Sequence, residues 1–341
     1  MVLCAGLGNR LRPLSASVPK PAVPVCGVPL VRWTFALLAG AGVRRVVVNV
    51  HHLPDEMAAA AAAAAGALGL DLAVSREPTI AGTGGALRQA RPLLAGAGDV
   101  LLLNGDVLFD VDLADALRAH RDSSALATMV VTPMPPGTRY AAVEADPGGA
   151  VRRIAGAFGP GGDGLASWHF TGVHVLSPAL LDDVPPLPFE LDINRHLYPR
   201  HMAAARVRAH VVAGYWNDLG TPSRYRAANE DVLGGRVPLG RFRGAEPFTG
   251  LDARPDGVWT GGGAAVAADA VVRPPSIIGP GARIDAGATV GPYAVVGAGS
   301  VVGPGASLAH ALVWEGTAVG AGERLEEVIA AGQERVPAPA S

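Results

Sequence analysis

Lysine is all but missing from this chain: of 28 basic residues, 27 are arginine and one, Lys20, is lysine. Cysteine is as scarce. Cys4 and Cys26 are the only two in 341 residues, and their number and spacing suit neither a disulfide framework nor a zinc site. A reduced, cytoplasmic protein is the expectation. Charged residues make up 17% and nearly cancel, at a formal net charge of −2. That excludes the broad basic field on which nucleic-acid binding depends, so no nucleic-acid partner is expected. Long hydrophobic runs are also lacking. The opening MVLCAGLG has neither the charged start nor the extended apolar stretch of a signal peptide. The alanine-rich stretch 58–68 is too short to span a bilayer, so no membrane partner is expected either.

What the chain has in quantity is apolar side chain, 49% of residues, enough for a packed core and two domains. Through residues 1–233, apolar runs alternate with helical patterns. Strands are predicted at 1–4, 43–50, 70–75, 100–103, 125–131, 169–176 and 207–212. Helices are predicted at 30–39, 55–68, 84–94, 113–120, 179–182 and 222–233. Asp55 suits an N-cap, the alanines after it favour a surface helix, and Pro29 and Pro222 suit a first helical turn. Strands alternating with helices imply an α/β layer with a largely parallel sheet.

Residues 234–263 turn to glycine, proline and arginine and read as a connector. From 264 to 341 a different order appears. Ile278, Ile284, Val290, Val296, Val302 and Leu308 recur every six residues, each followed by a small or acidic residue. Neither the helical period of 3.6 nor the strand period of 2.0 produces that spacing. A hexapeptide β-helix does, with each aliphatic residue entering the solenoid interior. One slip falls between Leu308 and Val319, after which GAGERL resumes the pattern. A glycine-rich linker would not hold an aliphatic register.

The single lysine lies in CAGLGNRLRPLSASVPKP, residues 4–21. Glycines after a strand let backbone N–H groups approach phosphate oxygens, because no Cβ stands in the way. The stretch is not a Walker A loop, for no G-K-[ST] follows. It is not a dinucleotide fingerprint either, since Leu11 stands where a third glycine would open a helix. In a chain that otherwise uses arginine, a lone lysine here suggests a compact ammonium on a flexible stem, able to follow a moving phosphate.

With Gly6, Gly8, Arg10, Leu11, Pro13, Leu14, Ser15, Pro19, Lys20 and Pro21 all in place, the stretch resembles the signature of the sugar-1-phosphate nucleotidyltransferases. The resemblance continues through GTGGAL (82–87), LLLNGDV (101–107), FTGVHVLSP (170–178) and WNDLGTPSRY (216–225). It implies a Rossmann-like, mixed but mostly parallel catalytic sheet. The C-terminal repeats resemble the left-handed parallel β-helix of one branch, which includes mannose-1-phosphate guanylyltransferases. That branch implies GTP and mannose-1-phosphate as substrates, and a homo-oligomer formed through the solenoid.

The resemblance assigns roles by position. Leu3, Ala5, Gly6 and Gly8 fall on the nucleotide, with the backbone around Gly6 and Gly8 at its triphosphate, and Glu77, Gly82 and Thr83 on the nucleobase loop. Arg10 would grip the departing pyrophosphate end, and Lys20 would follow the α-phosphate. Tyr140, Thr171 and Gly172 correspond to sugar-side positions, and Asp106 and Asp218 to ligands of a Mg²⁺ cofactor. Taken alone, an Asp after a strand is usually a turn or cap residue, and a glutamate at position 77 is equally an acceptor for a guanine edge or a solvated loop residue. His51, His52, His169 and His174 suit packing or surface positions better than a metal site.

Two departures stand out. Many members carry a Glu-Lys-Pro triplet before the FTGVHV-type strand, whose lysine binds the sugar phosphate; here Gly156-Ala157-Phe158 occupies that place. Arg152 or Arg153 would have to supply the charge, or the site does without it, as in a branch acting on muramic acid phosphate with UTP. Met1 also leaves the first strand shorter than is usual, as expected if the natural start lies upstream. Outside the enzyme class, a catalytically silent paralogue that senses nucleotide sugar would show erosion at Arg10, Lys20, Asp106 or Asp218, and none is eroded. A solenoid acyltransferase would need a catalytic histidine, and His310 is the tail's only one.

Overall fold

The computed structural model describes residues 1–135, 137, 140–185 and 190–340. They form two compact units, one of residues 1–7 and 34–216, the other of 8–33 and 217–341.

The first unit is built on a nine-stranded mixed sheet. Its parallel part runs Val100–Asn104, Val2–Leu3, Arg45–Val50 and Asp71–Arg76, with Val2 opposite both Val48 and Leu103. The two strands flanking Val2–Leu3 are almost wholly apolar and buried, as sheets covered on both faces require. The long strand Ala166–Leu176 runs antiparallel to Val100–Asn104 and to Ala127–Thr132. Beyond Ala127–Thr132 lies Val207–Val211, again parallel. The hairpin Ala142–Ala145 and Val151–Ile154, whose weak period the sequence reading passes over, completes the sheet. Met129, Val131, Val143, Leu176, Ile193, Tyr198 and Met202 belong to its principal core.

Two local expectations change. Helix Pro54–Leu68 takes Pro54 as its first residue, so Asp55 stands inside the first turn and its carboxylate pairs with Arg76 at 2.7 Å instead of capping. Proline is pre-set for that first position, while an acidic residue one place later still meets the positive end of the helix dipole. Pro29 precedes helix Leu30–Gly40, in a short hairpin where it pairs with Pro24.

In the second unit the C-terminal strands stack into three ladders, parallel except where Leu251–Ala253 pairs with Val258–Gly261 and Val328–Ala331 with Glu334–Pro337. Ile278, Ile284, Val290, Val296, Val302 and Leu308 all enter the interior, as the six-residue spacing requires. Successive coils first pair residues 18 apart, Ile278 with Val296 and Ile284 with Val302. The slip then appears as one missing residue after Leu308: Val296 pairs with Val313 and Val302 with Val319, 17 apart. Stacking starts at Val258–Gly261, inside the glycine-rich stretch read as a connector. One ladder is apolar on its outer side as well, where Ile277, Val295, Leu312 and Ile329 are buried. Tyr225 and Asn229 of helix Pro222–Leu233 border the same cavity of about 710 Å³ as Ile277, Val295 and Leu312. Among the described residues, no helix is long and apolar enough to cross a membrane.

Candidate active site

In the first unit the parallel strands deliver their functional residues at their C-terminal ends, where open α/β sheets bind ligands. Leu3 ends its strand, Ala5 is buried and Gly6 is exposed, with open space where a Cβ would stand. Strand Val100–Asn104 ends in a Gly105-Asp106 turn. A Cβ on Gly105 would lie 2.8 Å from Cys4 Sγ and 2.9 Å from Leu3 O, so the close approach of the two strand ends requires glycine there. Burial raises the Cys4 thiol pKa, and the charge of Asp106 raises it further. That places the Asp106 carboxylate within electrostatic reach of the Val2–Leu3 strand end.

Glu77 is buried rather than solvated. It is 5% exposed, and its oxygens accept from Asn49 Nδ2 at 2.7 Å and Ala81 N at 3.0 Å. Asn49 Oδ1 in turn accepts from Cys4 N at 2.8 Å. The Asn49–Glu77 pair thus braces the loop before helix Gly82–Ala90 against the strand that precedes the glycine loop. The glycines of GTGG have a steric origin. A Cβ on Gly82 would stand 2.7 Å from Leu191 O, and one on Gly84 would stand 1.9 Å from Leu191 Cδ2. Thr83 Oγ1 accepts from Ile193 N at 2.9 Å.

The sugar-side candidates gather around a bulge in strand Ala166–Leu176. Thr171 is buried and donates Oγ1 to Val130 O at 2.8 Å, while its own carbonyl accepts from Trp216 Nε1 at 2.9 Å. Gly172 has φ 93°, and Asn104 lies 3.1 Å from where its Cβ would be. Tyr140 packs with His169 and Trp216, at ring-centroid distances of 4.5 and 5.4 Å. His174 is buried beside Tyr198, its Nδ1 2.8 Å from the phenol oxygen, and burial drops its pKa from 6.5 to about 3, so it stays neutral. His51 Nδ1 lies 2.9 Å from Glu77 O. These are packing roles, and among the described residues no group of three or more His, Cys, Asp or Glu side chains could hold a metal.

The second unit carries the charged centre. Gly8 takes φ 61°, and a Cβ there would meet Ser15 Cβ at 3.1 Å and Lys20 Cβ at 3.3 Å. The chain folds back on itself at this point, with Ser15 Oγ and Leu11 N both donating to Gly8 O. Leu11 is buried in a short 3-10 turn, which explains a leucine in place of a helix-opening glycine. Lys20 is 5% exposed and donates Nζ to the main-chain carbonyl of Asp218 at 2.7 Å. Asp218 Oδ1 accepts from Arg224 Nη1 at 2.8 Å and from Gly220 N at 3.1 Å. The Arg10 guanidinium lies 4.0 Å from Asp218 Oδ2, and Arg10 is 69% exposed. Arg10 and Arg224 therefore flank the Asp218 carboxylate, and Lys20 meets the main-chain carbonyl of the same residue. That excess of positive charge suits a polyphosphate, the exposed arginine offering a mobile grip and the buried lysine a fixed one.

The sequence reading did not single out Arg224, Asn49 or Asn104. Arg224 lies in the quoted WNDLGTPSRY, where its distance from Asp218 gave the only available signal. Arg152 and Arg153, the proposed substitutes for the missing lysine, are each committed: Arg152 to Asp146 at 2.7 Å and Arg153 to Glu144 at 2.6 Å.

Comparison with known proteins identifies the family. A nucleotidyl transferase family model matches residues 1–234, and a bacterial transferase hexapeptide model of six repeats matches 275–310. The chain is 29% identical over 283 residues to the mannose-1-phosphate guanylyltransferase of Mycobacterium tuberculosis, covering 82% of this chain and 76% of that protein. It is 30% identical over 230 residues to the mannose-1-phosphate guanylyltransferase catalytic subunit beta of Xenopus tropicalis, covering 66% and 62%. It is also 29% identical over 231 residues to a probable mannose-1-phosphate guanylyltransferase of Oryza sativa, again covering 66% and 62%. The chain thus spans less than two thirds of these last two proteins. It belongs to the nucleotidyl transferase family, as a sugar-1-phosphate nucleotidyltransferase followed by hexapeptide repeats.

Proposed function

We propose that the chain joins GTP and mannose-1-phosphate to give the nucleoside diphosphate sugar and pyrophosphate. A phosphate oxygen of the sugar-1-phosphate attacks the α-phosphorus of the triphosphate. The bond from that phosphorus to the α–β bridging oxygen breaks, and pyrophosphate leaves with the electron pair. Such transfers depend chiefly on alignment and on neutralising charge. The observation that carries the reading is the group Lys20, Arg10 and Arg224 around Asp218. Lys20 would hold the α-phosphate as its charge shifts, Arg10 the departing end, and the main chain at Leu3, Ala5, Gly6 and Gly8 the triphosphate.

Asp106 and Asp218 would hold Mg²⁺. Both are hard oxygen donors, and Asp218 Oδ2 accepts no hydrogen bond among the described residues. Two carboxylates fit an ion that keeps several waters and takes its other ligands from phosphates. When bound, Mg²⁺ would offset phosphate charge. GTP and mannose-1-phosphate are favoured by the three relatives, all named for mannose-1-phosphate guanylyl transfer. Tyr140, Thr171 and Gly172 would border the sugar, and Gly82 and Thr83 the base, with Glu77 bracing that loop. The solenoid would serve self-association, and the compartment would be the cytoplasm.

One observation favours a second reading. With Arg152 and Arg153 both engaged by carboxylates, the sugar phosphate lacks the expected cation, as in uridylyltransferases acting on an N-acetylated amino-sugar phosphate of the muramic acid type. Pyrophosphate release with Mg²⁺, measured for GTP, UTP, dTTP, ATP and CTP against several sugar-1-phosphates, separates the two. Turnover confined to GTP with mannose-1-phosphate supports the first. Turnover with UTP and an amino-sugar phosphate supports the second, and silence with retained nucleotide-sugar binding would indicate a regulatory paralogue.

A further inference from the structure

Helix Pro222–Leu233 makes two sets of contacts within its unit. At its N-terminus Thr221 Oγ1 accepts from Arg224 N at 3.3 Å, and Arg224 Nη1 holds Asp218 Oδ1 at 2.8 Å. Two residues on, and so on another side of the helix, Arg226 reaches the solenoid. Only 3% exposed, it donates Nε to Ala338 O at 2.6 Å, Nη2 to Glu327 Oε1 at 3.0 Å, and Nη1 to Glu230. Glu327 stands with φ 53°, a left-handed backbone that a side chain makes unfavourable and that its surroundings must maintain.

The helix also holds the segment that follows Lys20. Tyr225 donates its hydroxyl to Pro24 O while accepting from Trp314 Nε1 at 3.0 Å. Asn229 Oδ1 accepts from Cys26 N at 2.6 Å. Val23 N donates to Lys20 O at 3.2 Å, closing the turn that presents the lysine.

We infer that the solenoid is a positioning element of the transfer reaction, acting through the buried Arg226 and its half-buried partner Glu327 to set Asp218, Arg224 and Lys20. The inference rests on the roles proposed above for Asp218 and Lys20. Its physical basis is that a buried guanidinium with a partner for each nitrogen tolerates little displacement, because any shift strands a charge away from water. Such a pair adds little net stability but defines one geometry. The helix is rigid, so that geometry carries to Arg224 two residues away.

The test is Glu327→Gln in the full chain, with Glu327→Asp as the conservative variant, read by hydrogen exchange and by kinetics. Amides of residues 20–26 and 217–224 should exchange at least about fivefold faster in Glu327→Gln, with strands of the first unit unchanged. Turnover should fall by about tenfold, and that loss should disappear in an Arg224→Gln background, whereas a merely structural role would give independent, multiplying losses. Glu327→Asp should recover part of both effects, and it carries the same measurements if Glu327→Gln does not fold. Unchanged exchange at 217–224, or multiplying losses, overturns the inference. A wild-type chain silent with every substrate pair would refute the proposed reaction instead, and the exchange result would still decide the positioning role.

Discussion

Replacing Lys20 tests the charged centre most directly, because the structure sets both the catalytic and the folding cost. An ammonium about 4 Å from a phosphate charge, at an effective dielectric constant of about 20, is worth about 4 kcal/mol. Lys20→Ala should therefore lower kcat by about 10³-fold. The folding cost is smaller. The substitution leaves the Asp218 carbonyl without the ammonium now 2.7 Å away. An unmet buried acceptor costs about 1–3 kcal/mol, or a Tm fall of about 2–8 °C. Lys20→Arg keeps the charge but forces a planar guanidinium into a 5% exposed position. Overpacking of about 1–3 kcal/mol should displace it and leave kcat at least about tenfold down. Pyrophosphate release under saturating substrates, with Tm by calorimetry, reads both. A folded Lys20→Ala protein within tenfold of wild type would refute the mechanism. Full activity in Lys20→Arg would refute the reasoning that a compact ammonium is needed.

Two further outcomes are expected. Asp218→Asn should raise the Mg²⁺ concentration for half-maximal turnover by about tenfold or more and lower kcat, because a neutral amide is a poor ligand for a hard cation; an unchanged metal titration removes Asp218 from the site. His174 gives the fold an acid-side pH dependence. Its folded pKa lies near 3 against a usual 6.5, so its contribution to stability is complete above about pH 6.5 and declines as pH falls toward 3. The slope is about 1.4 kcal/mol per pH unit. Denaturant unfolding from pH 7 to pH 4 should show it, and His174→Phe should flatten that slope; an identical slope in the variant would locate the acid sensitivity elsewhere.

Much of the architecture was legible because its signals are local. Each rung of the solenoid repeats one decision, an aliphatic residue entering a narrow interior, so a six-residue spacing in the sequence becomes a ladder in space. The missing residue after Leu308 shortens the pairings that straddle it from 18 residues to 17, and it too shows in the spacing. The parallel strands were visible as apolar runs, since burial on both faces removes the alternation that polar contact would leave. The hairpin at 142–154 was not, because its strands are short and half polar.

The chemistry divides in the same way. Sequence alone determined which residues are candidates: a lone lysine among arginines, glycines where backbones must approach, and aspartates after strands. Only the tertiary structure decided what those residues do to one another. Lys20 meets the carbonyl of a residue 198 positions away, a pairing with no local trace. Glu77 reads as a loop residue in the sequence, whereas in the fold Asn49, 28 positions away, donates to one of its oxygens and the nearby Ala81 N to the other. Arg226 is one arginine among 27 in the sequence, and burial between Glu230, Glu327 and Ala338 is what distinguishes it. Local pattern reports which face a residue turns to water, whereas the partners of a buried charge are set by which segments the fold brings together.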